Sequence, residues 1–77
     1  MVKWKIALDT VSNINNFVAI TTKYEDDLFV ENEDKTFRVN AKCLMGLLYT
    51  TEWGGDVYLT AEKEPAGLYQ ELNEFID

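Results

Sequence analysis

The sequence contains no histidine and a single cysteine, Cys43. Ser-His-Asp and Cys-His nucleophile pairs therefore cannot be built from it. Neither can a His₃, Cys₂His₂ or Cys₄ zinc site. A lone cysteine forms no intramolecular disulfide, which suits a reducing cytoplasm. Positive charge is scarce, with seven Lys and Arg against fourteen Asp and Glu, a net charge of −7. A phosphate backbone needs cations to displace its counterions, so no nucleic acid is expected. The same deficit argues against an anionic membrane surface. The longest nearly apolar run, Cys43 to Tyr49, is seven residues and too short to cross a bilayer. No basic start leads into an apolar stretch, so no signal peptide is visible. These absences leave a cytoplasmic protein with little catalytic equipment: no enzyme, no cofactor and no metal site are expected.

Apolar residues are plentiful. They make up 47% of the 77 residues, with 13% aromatic, which is too rich for disorder. The length supports one domain, residues 1–77, around one two-layer core. Size scaling puts the accessible surface of the folded chain at about 4,800 Å².

Residues 2–9 alternate, with Val2, Trp4, Ile6 and Leu8 on one side and Lys3, Lys5, Ala7 and Asp9 on the other. That period of two predicts a strand with one wet face. Ser12 or Asn13 is placed to cap a helix running to about Tyr24. Leu28 to Val30 reads as a brief strand, Glu31 to Asp34 as a turn, and Lys35 to Ala41 as the return strand of a hairpin. Asn40 is placed to cap a second helix, Ala41 to Thr50, in which Gly46 suggests close packing. Trp53-Gly54-Gly55-Asp56 reads as a loop, and residues 56–62 alternate again. Pro65 suits the first turn of a final helix. There Leu68, Leu72, Phe75 and Ile76 form an amphipathic stripe. The order β-α-β-β-α-β-α predicts an α+β open-faced sandwich, a four-stranded antiparallel sheet covered on one face by three helices.

The stretch Val39-Asn40-Ala41-Lys42-Cys43-Leu44-Met45-Gly46-Leu47-Leu48 resembles the "V-N-L-K-S-I-M-G-V-M" block of the HPr family. These are the histidine-containing phosphocarrier proteins of the bacterial sugar phosphotransferase system. Gly54 to Ala61 is similar to the family's loop and last strand, "K-G-A-E-I-T-I-S-A". Residues 2–9 resemble its first strand, and Lys23-Tyr24-Glu25 matches the end of its first helix. The resemblance covers nearly the whole chain and implies an HPr-like sandwich. It also implies docking onto Enzyme I, a sugar-specific IIA domain or a catabolite regulator through the second helix. By that resemblance Leu44 and Leu48 face outward, Met45 and Leu47 lie more inward, and Phe17 joins from the first helix. Leu44, Leu48, Met45 and Phe17 are thus the candidate partner-binding residues.

The departures concern the chemistry. The family carries its phosphoryl group on the histidine of "G-I-H-A-R-P", where helix N–H groups and the arginine hold the phosphate. Asn13 stands in place of that histidine and Asn15 in place of the arginine. An amide forms no phosphoramidate, so relay by the family's mechanism is excluded. The serine phosphorylated in many Gram-positive members is replaced by Cys43. The expectation is a non-catalytic regulatory or binding module, monomeric or weakly homodimeric, that occupies a docking site without passing phosphate on. The alternative is a fold reused outside sugar transport, binding a basic partner through the acidic hairpin of residues 25–34. For Cys43 itself, a redox-sensitive thiol at a helix start is weighed against a small residue that merely replaces serine.

Overall fold

The computed structural model describes residues 1–77. Its elements are β1 (Val2–Ile6), α1 (Val11–Thr21), β2 (Phe29–Asn32), β3 (Arg38–Asn40), α2 (Leu44–Leu48), a 3₁₀ turn (Tyr49–Glu52), β4 (Val57–Ala61), α3 (Leu68–Glu71) and a second 3₁₀ turn (Asn73–Phe75). The four strands form one antiparallel sheet in the order β1-β4-β2-β3. This is the α+β open-faced sandwich that the alternation and the helical stripe predict, with three helices. The accessible surface is 4803 Å², the value that size scaling gives.

Register follows from which side chains need burial. Trp4 pairs with Leu59, Leu59 with Val30, and Val30 with Val39, so these residues share the helix-covered face. A slip of one residue would turn every one of them to water. The core of fifteen apolar residues includes Ile6, Leu8, Ile14, Phe17, Leu47, Leu68, Leu72 and Phe75. The C-terminal stripe is therefore buried as its spacing requires. The chain after it then closes the β1 edge: Ala7 donates to the Phe75 carbonyl at 2.8 Å and Asp77 to that of Lys5 at 2.9 Å. A covered edge does not recruit a foreign strand.

Several boundaries differ from expectation. Thr10, not Ser12 or Asn13, caps α1, and its hydroxyl accepts from the Asn13 amide at 3.0 Å. The earlier start puts Ile14, Phe17 and Thr21 on one buried face. The helix stops at Thr21 because that residue turns to its neighbour. Its hydroxyl donates to the Ala41 carbonyl at 2.8 Å in a buried site. The hairpin shifts by two residues. Its turn lies at residues 33–36, with Lys35 in the left-handed region at φ 62°. The second helix is shorter than read and is capped by Cys43, whose Sγ accepts from the Gly46 amide at 3.4 Å. Asn40 serves the preceding turn instead, accepting from the Lys42 amide at 2.8 Å. Pro65 lies in the turn ahead of α3, and Gly67, at φ 84°, leads into that helix. The close packing predicted at Gly46 is present: a Cβ there would meet the Val39 Cβ at 3.2 Å.

Candidate functional site: the surface of the second helix

α2 leans on β3 through Gly46 and on the core through Leu47, which is fully buried. The polypeptide then tightens into the 3₁₀ turn, where the Thr50 hydroxyl donates to the Leu47 carbonyl at 2.7 Å. With Leu47 inward, Leu44, Met45, Leu48 and Tyr49 are left on the outside. Residues i, i+1, i+4 and i+5 of a helix form one stripe, so the four make a continuous apolar surface. Leu44 and Leu48 are exposed, as the resemblance implies. Met45 corrects it: at 69% exposure it is the most exposed of the four rather than turned inward.

Phe17 is a second correction. It is fully buried and meets Phe75 edge-on, with ring centroids 5.7 Å apart. No partner reaches it while the core is intact. Asn13 and Asn15 lie in the first turns of α1, Asn13 half-buried and Asn15 exposed. The Thr21–Ala41 hydrogen bond sets the end of α1 beside the start of α2. At the other end, Leu8 and Asp9 share a hollow of about 370 Å³ with Thr50 and Thr51. The two helices thus run antiparallel. Asn13 and Asn15 sit at the 3₁₀-turn end of the surface, and Cys43 at the opposite end. The structure does not bring the three positions together.

The α1–α2 junction is held by polar contacts. Besides Thr21, the Lys42 ammonium donates to the Tyr24 carbonyl. Lys23 and Tyr24 in turn grip the Glu71 carboxylate of α3 at 2.9 and 2.6 Å. The Tyr24 hydrogen bond, followed by that of Lys23, lowers the Glu71 pKa. The hydrogen bond to Glu71 raises that of Tyr24.

Charge distribution adds what sequence reading missed. The fourteen carboxylates all lie outside residues 10–24 and 35–51. These two acid-free stretches are the ones that build α1, β3 and α2. In a chain of net charge −7 the four apolar residues thus have no carboxylate near them in the chain before Glu52, which ends the 3₁₀ turn. Tyr49 and the exposed Val11 at the start of α1 extend the same character. The signal was available as a gap in the acidic residues, not as a motif.

The acidic run of residues 25–34 divides into engaged and unpaired carboxylates. Glu31 is buried against Arg38 at 3.2 Å. Asp34 accepts from Asn32 and Thr36, and the Thr36 hydroxyl lowers its pKa. Glu33 lies 3.9 Å from Lys3. Glu31 and Asp34 are engaged by the fold, Glu25, Asp26 and Asp27 pair with no lysine or arginine, and no group of three or more His, Cys, Asp or Glu side chains converges as metal ligands do. No helix is long and apolar enough to cross a membrane.

Fold and surface together define an α+β open-faced sandwich with an unshielded apolar helix surface. Comparison with family models, with curated proteins and with solved structures returned no match.

Proposed function

We propose that this chain is a non-catalytic protein-binding module of HPr type, docking a partner of the phosphotransferase or carbon-regulation system through α2 and the 3₁₀ turn that follows. The observation that carries the reading is the exposure of Leu44, Met45, Leu48 and Tyr49 within a stretch, residues 35–51, that holds no carboxylate. Apolar area concentrated in one place and rimmed by polar groups is characteristic of interaction sites. Aromatic and Met side chains are also enriched in interface cores, whereas Asp and Glu are depleted. The Val39–Leu48 block and the order β-α-β-β-α-β-α support the HPr assignment. The mechanism is occupancy. The module fills the docking site, and Asn13 and Cys43, in place of the family's phosphorylated residues, accept no phosphate.

The test is an NMR titration of labelled protein with Enzyme I and with an HPr-binding regulator. Shifts confined to residues 11–16 and 43–51, lost in Leu44→Glu and Leu48→Glu, are the expected result. An unchanged spectrum with both partners, at concentrations that saturate HPr itself, would overturn the phosphotransferase assignment. Binding that survives both substitutions would overturn the surface.

A further inference from the structure

The sheet face without helices carries a second surface of different chemistry, independent of the first. Phe29, Glu31, Arg38 and Thr60 point outward there, opposite in register to Val30, Val39 and Leu59. They line a hollow of about 630 Å³ together with Asp26, Asp27 and Glu62. Within it the Arg38 guanidinium sits 3.6 Å from the centroid of the Phe29 ring. Its Nε lies 3.2 Å from Glu31, whose carboxylate is nearly buried. Asp26, Asp27 and Glu62 form no ion pair with any lysine or arginine of the chain. An aromatic face beside a desolvated carboxylate is the environment a planar guanidinium takes best. The molecule's own arginine occupies it, and three unpaired carboxylates surround the remaining space.

We propose that this hollow receives an arginine-bearing basic segment of a protein partner, one guanidinium exchanging with Arg38 over Phe29 while neighbouring cations meet Asp26, Asp27 and Glu62. Charge complementarity argues for that occupant. The hollow carries four carboxylates against three cationic residues, Arg38, Lys63 and the N-terminal Met1, on a chain whose net charge of −7 draws cations at long range.

The test uses blocked hexa-arginine, hexa-lysine and hexa-glutamine peptides, titrated into the labelled full chain and read by NMR and calorimetry. Hexa-arginine is expected to bind about three-fold tighter than hexa-lysine through ring stacking, with shifts centred on Phe29, Glu31 and Thr60. Phe29→Leu should abolish that preference without changing charge. Arg38→Ala should tighten hexa-arginine binding about three-fold by vacating the ring. Lys35→Ala, which removes an equal charge at the hairpin turn, should not. Equal affinity for the two cationic peptides with shifts spread over all acidic residues would overturn the proposal in favour of general polycation attraction. So would a preference for arginine that survives Phe29→Leu. If Arg38→Ala does not fold, Phe29→Leu decides the matter in the otherwise intact chain.

Discussion

The two outer surfaces of this sandwich expose apolar carbon under different terms. On the bare sheet face each large ring has a cation over it: Arg38 over Phe29 at 3.6 Å and Lys3 over Tyr58 at 4.6 Å. In both it is the charged head that lies over the ring, a cation–π contact. Glu33 and Glu31 then hold Lys3 and Arg38 in place. That arrangement lets a sheet stand without a second layer. On α2 nothing comparable exists. Leu44, Met45, Leu48 and Tyr49 have no ionic cover, because no carboxylate lies in residues 35–51 and Lys42 is turned to the Tyr24 carbonyl. Exposed apolar area is therefore covered by the chain's own cations on the sheet face, where a partner must displace Arg38, and uncovered on α2.

The sharpest way to break this comparison is to exchange the status of an inner and an outer apolar residue. Phe17→Ala should cost about 3–5 kcal/mol, because a fully buried ring is lost and leaves a cavity against Phe75. Met45→Ser on the exposed stripe should change stability by no more than about 0.5 kcal/mol. Urea unfolding of the two variants checks both values. If Met45→Ser destabilises as Phe17→Ala does, α2 belongs to the core and the docking surface does not exist.

A smaller effect tests how α2 is seated. Gly46→Ala adds a methyl 3.2 Å from the Val39 Cβ, and overpacking of this kind costs about 1 kcal/mol or more. In a Val39→Gly background, where the Cβ it meets is gone, the same change should instead be favourable by up to about 1 kcal/mol, from helix propensity alone. A double-mutant cycle reads the reversal of sign. Additive values would mean that β3 does not set the position of the stripe.

The smallest effect concerns the tether between the helix junction and α3. Glu71 has its pKa lowered, so its contribution to stability is present above the ordinary carboxylate pKa and is lost as pH falls through the lowered value. Tyr24 has its pKa raised, so its contribution is present below the ordinary phenol pKa and is lost as pH rises through the raised one. Tyr24→Phe should move the Glu71 titration back toward the ordinary range, followed by carboxyl NMR. The hydrogen bond itself is exposed, so the cost in stability should be slight. Neither outer surface should respond. A shift of the α2 amides in this variant would show that the tether positions the docking stripe as well.

Most of the architecture was legible because it rests on periodicity. Val2, Trp4 and Ile6 alternate and Leu68, Leu72 and Phe75 recur at helical spacing, and the structure turns both sets to the core, with Trp4 only partly buried. The boundaries were less legible. Thr10 and Cys43 took the caps from Ser12 or Asn13 and from Asn40, because several short polar residues stand near each helix start and only packing selects among them. The candidate surface was half legible. Leu44 and Leu48 were placed outward by resemblance, whereas Met45 and Phe17 were misplaced in opposite senses. A five-residue helix has too few turns for its own sequence to reveal a buried face; Gly46 against Val39 and Leu47 against the core determine it.

The sequence by itself excluded chemistry that needs a histidine, since folding supplies no missing side chain, and it determined the sandwich, since strands of period two and a helix of period 3.6 have few ways to bury their faces together. Tertiary structure decided which of the apolar residues stay outside and which carboxylates are spent on the fold. Those outcomes depend on contacts between residues distant in the chain, such as Thr21 with Ala41, Phe17 with Phe75 and Arg38 with Phe29. Local sequence holds no record of such pairings until the sheet register fixes them.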